Sequence, residues 1–207
     1  KNKAFTVPFL EKEQMQDTKL EMLYFLLGHY KWNDKDNKIY QKYIDITNNE
    51  LDKLSNIKKK YPDFVLSKNY ISLVDMIGSS NLYSKDLNPD RGVNIDTKNT
   101  INRHKEIIDE IFDKKKTTDL TSLKIIDGRL FNLKYLEEFS YLEKILPILI
   151  KDNYDLITDE HITYVESFYD YLGDAYLAKR DVSALIKLQN QGTEWALKLK
   201  QGPHAKV

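Results

Sequence analysis

The sequence predicts an all-α protein, an antiparallel helical bundle, on three observations. Gly 7 and Pro 5 are few chain breakers for 207 residues, so regular elements should be long. Apolar residues recur at spacings of three and four, the period of a helix with one buried face. Hydrophobic residues at 41% and aromatics at 12% supply enough apolar surface for a packed core.

The elements follow in order. Residues 15–30 form the first expected helix, with Leu20, Leu23, Tyr24 and Leu27 as its apolar stripe. Gly28 and the polar run Asn33 to Asn37 are expected to end it. The second covers 38–61, with Ile39, Tyr43, Ile46 or Thr47, Leu51, Leu54 and Ile57 inward and Pro62 as its stop. It is expected to lie antiparallel on the first, half-exposed. A shorter third helix over 68–77 turns Ile71, Val74 and Ile77 inward, and Gly78-Ser79-Ser80 follows.

Residues 84–98, with Asn88-Pro89-Asp90-Arg91-Gly92, read as the clearest loop and the best boundary. The chain is taken as a single helical domain over 1–207. Its sub-division, where one exists, is 1–83, the loop 84–98, and 99–207.

A fourth helix is expected over 100–115, with Ile101, Ile108, Ile111 and Phe112 on its core side. Lys114, Lys115 and Lys116 at its C-terminus complement the helix dipole without any ligand. Residues 120–133 fit a helix through Leu123, Ile126, Leu130 and Leu133, but Asp127-Gly128 between two apolar runs is also a hairpin signal. The helical neighbourhood favours the helix. Another helix covers 135–151, with Pro147 expected to kink or end it near Leu146. Thr158 or Asp159 caps the next, running to about 179. The last covers 182–200.

The segment Tyr169-Asp170-Tyr171-Leu172-Gly173-Asp174-Ala175-Tyr176 resembles the first helix of a tetratricopeptide repeat, where a large aromatic precedes Leu-Gly and then Tyr. Lys179-Arg180-Asp181 stands at the turn, and Ala184 and Leu188 stand near the small and large positions of the second helix. The resemblance covers this one hairpin. It implies a TPR-like C-terminal pair in which Gly173 permits close approach, Tyr176 fills the gap and Ala184 is small at the contact. It also implies a peptide-binding role.

Charge and composition narrow the chemistry. Lys+Arg 32 balances Asp+Glu 32, so no general field attracts nucleic acid. The arginines are only Arg91, Arg103, Arg129 and Arg180, few for a reader of phosphates or bases. Cys 0 excludes thiolate zinc, thiol catalysis and disulfides. No apolar run approaches the roughly 20 residues of a membrane span. The start at Lys1, without an initiator methionine, suggests that something upstream was removed. A bacterial envelope protein, with a lipid anchor upstream, or a secreted one is slightly favoured over a cytoplasmic one.

Four histidines and the acids near them are the candidates for ligands or bases. His29 sits at a helix C-terminus and His204 in a C-terminal tail. Asp159, Glu160, His161 and Glu166 are the densest ligand set, yet His161 and Glu166 are five apart and share no helical face. Arg103 and His104 with Glu106 and Asp109 could serve a phosphate, or form a solvated face. No phosphate-binding loop, nucleophile elbow or metal-binding helix motif appears. No catalytic residue, metal ligand or cofactor is therefore assigned.

Tyrosine is the remaining signal, at Tyr 14. Tyr164, Phe168 and Tyr171 share one face at helical spacing, and with Tyr176 they are the candidate partner-binding residues. A core face made of the same side chains is the preferred competitor. The expected function is a non-enzymatic interaction protein that binds a protein or peptide. The alternatives are a hydrolase or transferase built on His104 or His161 with distant acids, and a ligand-sensing domain of a regulator.

Overall fold

The computed structural model describes residues 7–34, 37–61, 64–86 and 96–201. Among them the chain forms eight α-helices and no strand. The helices are α1 (Val7–Asn33), α2 (Lys38–Lys60), α3 (Lys68–Asp86), α4 (Thr97–Asp113), α5 (Leu120–Tyr135), α6 (Phe139–Asn153), α7 (Asp159–Ala178) and α8 (Val182–Gln201). They fall into two compact units, Lys1–Thr100 and Ile101–Val207.

In the first unit α1 packs on both α2 and α3, and α2 packs on α3. Leu20, Leu23 and Leu27 of α1 are buried, as the spacing predicts, while Tyr24 is 38% exposed. The helix does not stop at Gly28 but runs on to Asn33. A mid-helix glycine costs only about 1 kcal/mol, and packing on two neighbours outweighs it. Asn33 Nδ2 then donates to the His29 carbonyl.

The buried face of α2 is rotated from the expected one. Tyr40, Ile44, Thr47, Leu51 and Leu54 are inside, whereas Ile39 and Ile57 are exposed. The stripe of α2 is wide enough to admit either choice, and docking on α1 and α3 selects one. Glu50 is buried with it. The ammonium groups of Lys19 and Lys53, each 2.8 Å away, hold its carboxyl down at about 2. Helix α3 continues through Gly78-Ser79-Ser80 to Asp86, beyond the expected end. Ser79 turns its hydroxyl back to the Met76 carbonyl, so the serine does not compete with the helix from outside. Residues 87–95 of the expected loop, with Asn88 to Gly92, and Pro62 and His204 lie outside the described residues.

The second unit is built around α7. It packs on α5, α6 and α8, and α5 also packs on α6. Ile108, Leu123, Ile126, Leu130, Leu133, Leu142, Leu146 and Leu149 form the core with Phe168, Leu172 and Ala175. Residues 120–133 are helical, so the hairpin alternative falls. Asp119 starts α5 by accepting from Ser122 N at 3.0 Å. Gly128 sits inside that helix, where a Cβ would find nothing within 4 Å.

Pro147 neither ends α6 nor stops it near Leu146, because the helix runs to Asn153. Pro147 faces solvent, where water can serve the carbonyl of Glu143 that lacks a 147 N–H. Three helices of this unit end in one device. Lys115, Glu137 and Arg180 take left-handed backbone angles, φ 52, 61 and 56. The next amide in each case reaches back over the last turn: Lys116 to Ile111, Glu138 to Leu133, Asp181 to Tyr176. These are Schellman closures without glycine. The triple lysine is thus the stop of α4 and lies past its last turn.

Candidate partner-binding face

Helix α7 begins where Thr158 caps it, the hydroxyl accepting from His161 N at 3.3 Å. The same hydroxyl lies 2.8 Å from His161 Nδ1, and His161 Nε2 lies 3.1 Å from the Thr118 carbonyl. A carbonyl can only accept, so Nε2 carries the proton and Nδ1 accepts from Thr158. His161 therefore fastens the start of α7 to the turn after α4. Asp159, Glu160 and Glu166 are exposed and do not converge on it. Among the described residues no group of three or more His, Asp or Glu gathers at one point.

His104 has a different setting. It is fully buried, and burial together with the charges of Arg129 and Arg103 drives its pKa down to about 3. The ring is neutral at ordinary pH. The charges acting on it are guanidinium, not the carboxylates that a general base needs to orient it.

The aromatic residues singled out in the sequence occupy two environments. Phe168 and Tyr171 are buried, with Phe168 in the centre of the core. Tyr164 and Tyr176 are half-buried and pack against the same core. The Tyr171 hydroxyl donates to Asp127 Oδ1 at 3.1 Å. Burial pushes the Asp127 carboxyl up, and the Tyr171 bond opposes that. Burial and the Asp127 charge raise the pKa of Tyr171, and of Tyr164 beside it.

Around this edge lie residues the sequence reading passed over. Lys134 stands 5.2 Å over the rings of both Tyr135 and Tyr171 and 5.9 Å from that of Phe131. It also pairs with Asp174 at 2.9 Å. Phe131 and Tyr135 are exposed, one turn apart on α5. Their signal was present as an i, i+4 aromatic pair off the Leu123, Ile126, Leu130 and Leu133 face.

The turn to α8 is closed by Arg180, and Asp181 Oδ1 caps α8 by accepting from Ala184 N at 3.0 Å. The hairpin meets along two lines. A Cβ on Gly173 would lie 3.8 Å from Leu188 Cδ2, and one on Gly192 would lie 3.8 Å from the Tyr169 ring. Both are ordinary van der Waals distances, so neither glycine is required by a close approach. Tyr169 and Trp195 pack at 5.9 Å between centroids. Leu188 and Trp195 thus define the inner face of α8.

The outer face of α8 carries three exposed aliphatic side chains, with the polar Gln189, Asn190 and Thr193 between the second and the third. Val182, Ile186 and Leu197 are each more than half exposed, and so is Leu177 at the end of α7. At 100° per residue the three α8 side chains lie within one narrow arc, away from Leu188 and Trp195. Lys198 borders it, held by Asp155 and 4.7 Å over the Tyr154 ring. No helix of the described residues is long and apolar enough to cross a membrane.

No protein family, curated protein or solved structure was found to match this chain.

Proposed function

We propose that this protein binds a protein or peptide partner rather than catalysing a reaction, and that the partner lies along the outer face of α8. The observation that carries this is the exposure of Val182, Ile186 and Leu197 on one side of α8 and of Leu177 at the end of α7, each more than half open to solvent. A helix in a layered fold exposes such side chains where a further helix or peptide is meant to lie. The tetratricopeptide-like pattern of the hairpin supports the same reading, because hairpins of that type bury their faces by stacking. The aromatic edge of Phe131, Lys134 and Tyr135 offers the amphipathic side chains that interfaces favour.

The test is photo-crosslinking in the intact chain, within the cells that make it. A photoreactive residue at position 186 or 197 should give a discrete adduct of higher mass. The same residue at Lys187, exposed on another side of α8, should give none. Equal labelling at all three positions, or none at 186 and 197 in a folded chain, overturns the reading.

A further inference from the structure

Helix α1 carries a second apolar stripe, opposite the one it buries. Met15, Met22, Phe25 and Trp32 are 73%, 60%, 66% and 72% exposed. At 100° per residue they fall within about 100° of arc, on the far side from Leu20, Leu23 and Leu27. With Thr18 and His29 they make an unbroken 3-4-3-4-3 spacing, the seam of a two-helix coiled coil.

That seam has a property the core stripe lacks. It reads the same in both directions about a point midway between Leu23 and Tyr24. In an antiparallel pair, Met15 meets the partner's Trp32, Thr18 the partner's His29, and Met22 the partner's Phe25. Aliphatic thioether sits on aromatic, polar sits on polar, and a two-fold axis relates the halves. The flanking charges agree. Lys19 comes level with the partner's Gly28 and Glu21 with the partner's Leu26, so no like charges oppose each other.

We infer that α1 is a self-association surface, and that two copies of this chain pair through antiparallel α1 helices along the seam of Met15, Met22, Phe25 and Trp32. Four large side chains so exposed present on the order of 500 Å² of apolar surface. Pairing buries it from both copies, on the order of 1,000 Å² before flanking residues are added, which is the lower bound for a specific interface. The seam is on α1 and uses none of the α8 residues, so the two proposals are tested by different substitutions.

The absence of cysteine makes the register directly testable in the full chain. One preparation carries Met15→Cys and a second Trp32→Cys. Mixed and oxidised, they should give the mixed disulfide dimer, because antiparallel pairing sets residue 15 beside 32. It also separates the two copies of residue 15 by about 25 Å along the axis. A parallel pair would instead link Met15→Cys to itself, which overturns the inference.

Sedimentation supplies the second readout. The unmodified chain should be dimeric. Met22→Glu combined with Phe25→Glu, which sets like charges against each other across the two-fold axis, should weaken self-association by at least about tenfold, with helical content unchanged because both residues are exposed. A chain that stays monomeric as concentration rises overturns the inference. So does a dimer that survives the double substitution, which would place the contact elsewhere, and Ile186→Asp would show whether that is α8.

Discussion

Helices α1 and α7 both carry large apolar side chains on more than one side, and the fold disposes of them oppositely. Helix α7 lies among α5, α6 and α8, so Phe168, Tyr171 and Leu172 are enclosed. Helix α1 has α2 and α3 as neighbours, and Met15, Met22, Phe25 and Trp32 remain in solvent. The same residue types thus build a core in one place and a surface in the other. What separates the cases is how many faces the neighbouring helices cover, which no property of the helix alone determines.

The largest expected effect sharpens that contrast. Phe168→Ala should destabilise the second unit by about 4 kcal/mol, through lost burial and the cavity left behind. Phe25→Ala, measured in protein diluted to the monomer, should stay within about 0.5 kcal/mol. Urea unfolding of both variants checks this. Comparable losses would mean that the α1 stripe is covered within the monomer.

Acid should separate the two units next. His104 has a folded pKa of about 3 against an ordinary 6.5. Between those values the unfolded chain takes up a proton that the folded one refuses. Stability of the second unit therefore falls as pH drops below about 6.5, by up to about 1.4 kcal/mol per pH unit. Glu50 is lowered from 4.5 to about 2, so its contribution to the first unit persists until pH falls below about 4.5. The only tryptophans are Trp32 and Trp195, one in each unit, so single Trp→Phe variants make fluorescence report each unit alone. His104→Leu should flatten the dependence of the second unit between about pH 6.5 and 4.5.

Smaller effects attend the helix ends and the hairpin. Glu137 and Arg180 occupy left-handed positions that glycine adopts without steric cost. Glu137→Gly and Arg180→Gly should each raise stability by about 1 kcal/mol, as thermal unfolding would register. Gly173→Ala should raise it by somewhat less, about 0.5 kcal/mol, because the added Cβ meets Leu188 at ordinary contact distance. A loss on that substitution would show that the 3.8 Å spacing at Leu188 leaves no room for a methyl group and that Gly173 is there for close approach.

Much of the fold was legible in the residues. The scarcity of breakers and the period of three and four announced helices throughout, and Thr158 or Asp159 marked the start of α7, where the structure makes Thr158 the cap. The ends were harder to read. Glycine and proline, the usual stops, lie inside α1, α3, α5 and α6, while the stops of α4, α5 and α7 are Lys115, Glu137 and Arg180. A helix stops where its last carbonyls find amides from the following residues. That depends on the backbone path more than on the side chain at the turn.

The candidate faces divide in the same way. Apolar content in α1, α7 and α8 is a property of the sequence, and so are the balanced charge and the absence of thiol chemistry. Which side of each helix is core was decided by docking. On α2 this turned Tyr40 and Ile44 inward and left Ile39 exposed; on α8 it enclosed Leu188 and Trp195 and left Val182, Ile186 and Leu197 outside. Periodicity is local and repeats at every turn, so it establishes that a helix has apolar stripes. Burial requires a second surface, and only the packed tertiary structure supplies one.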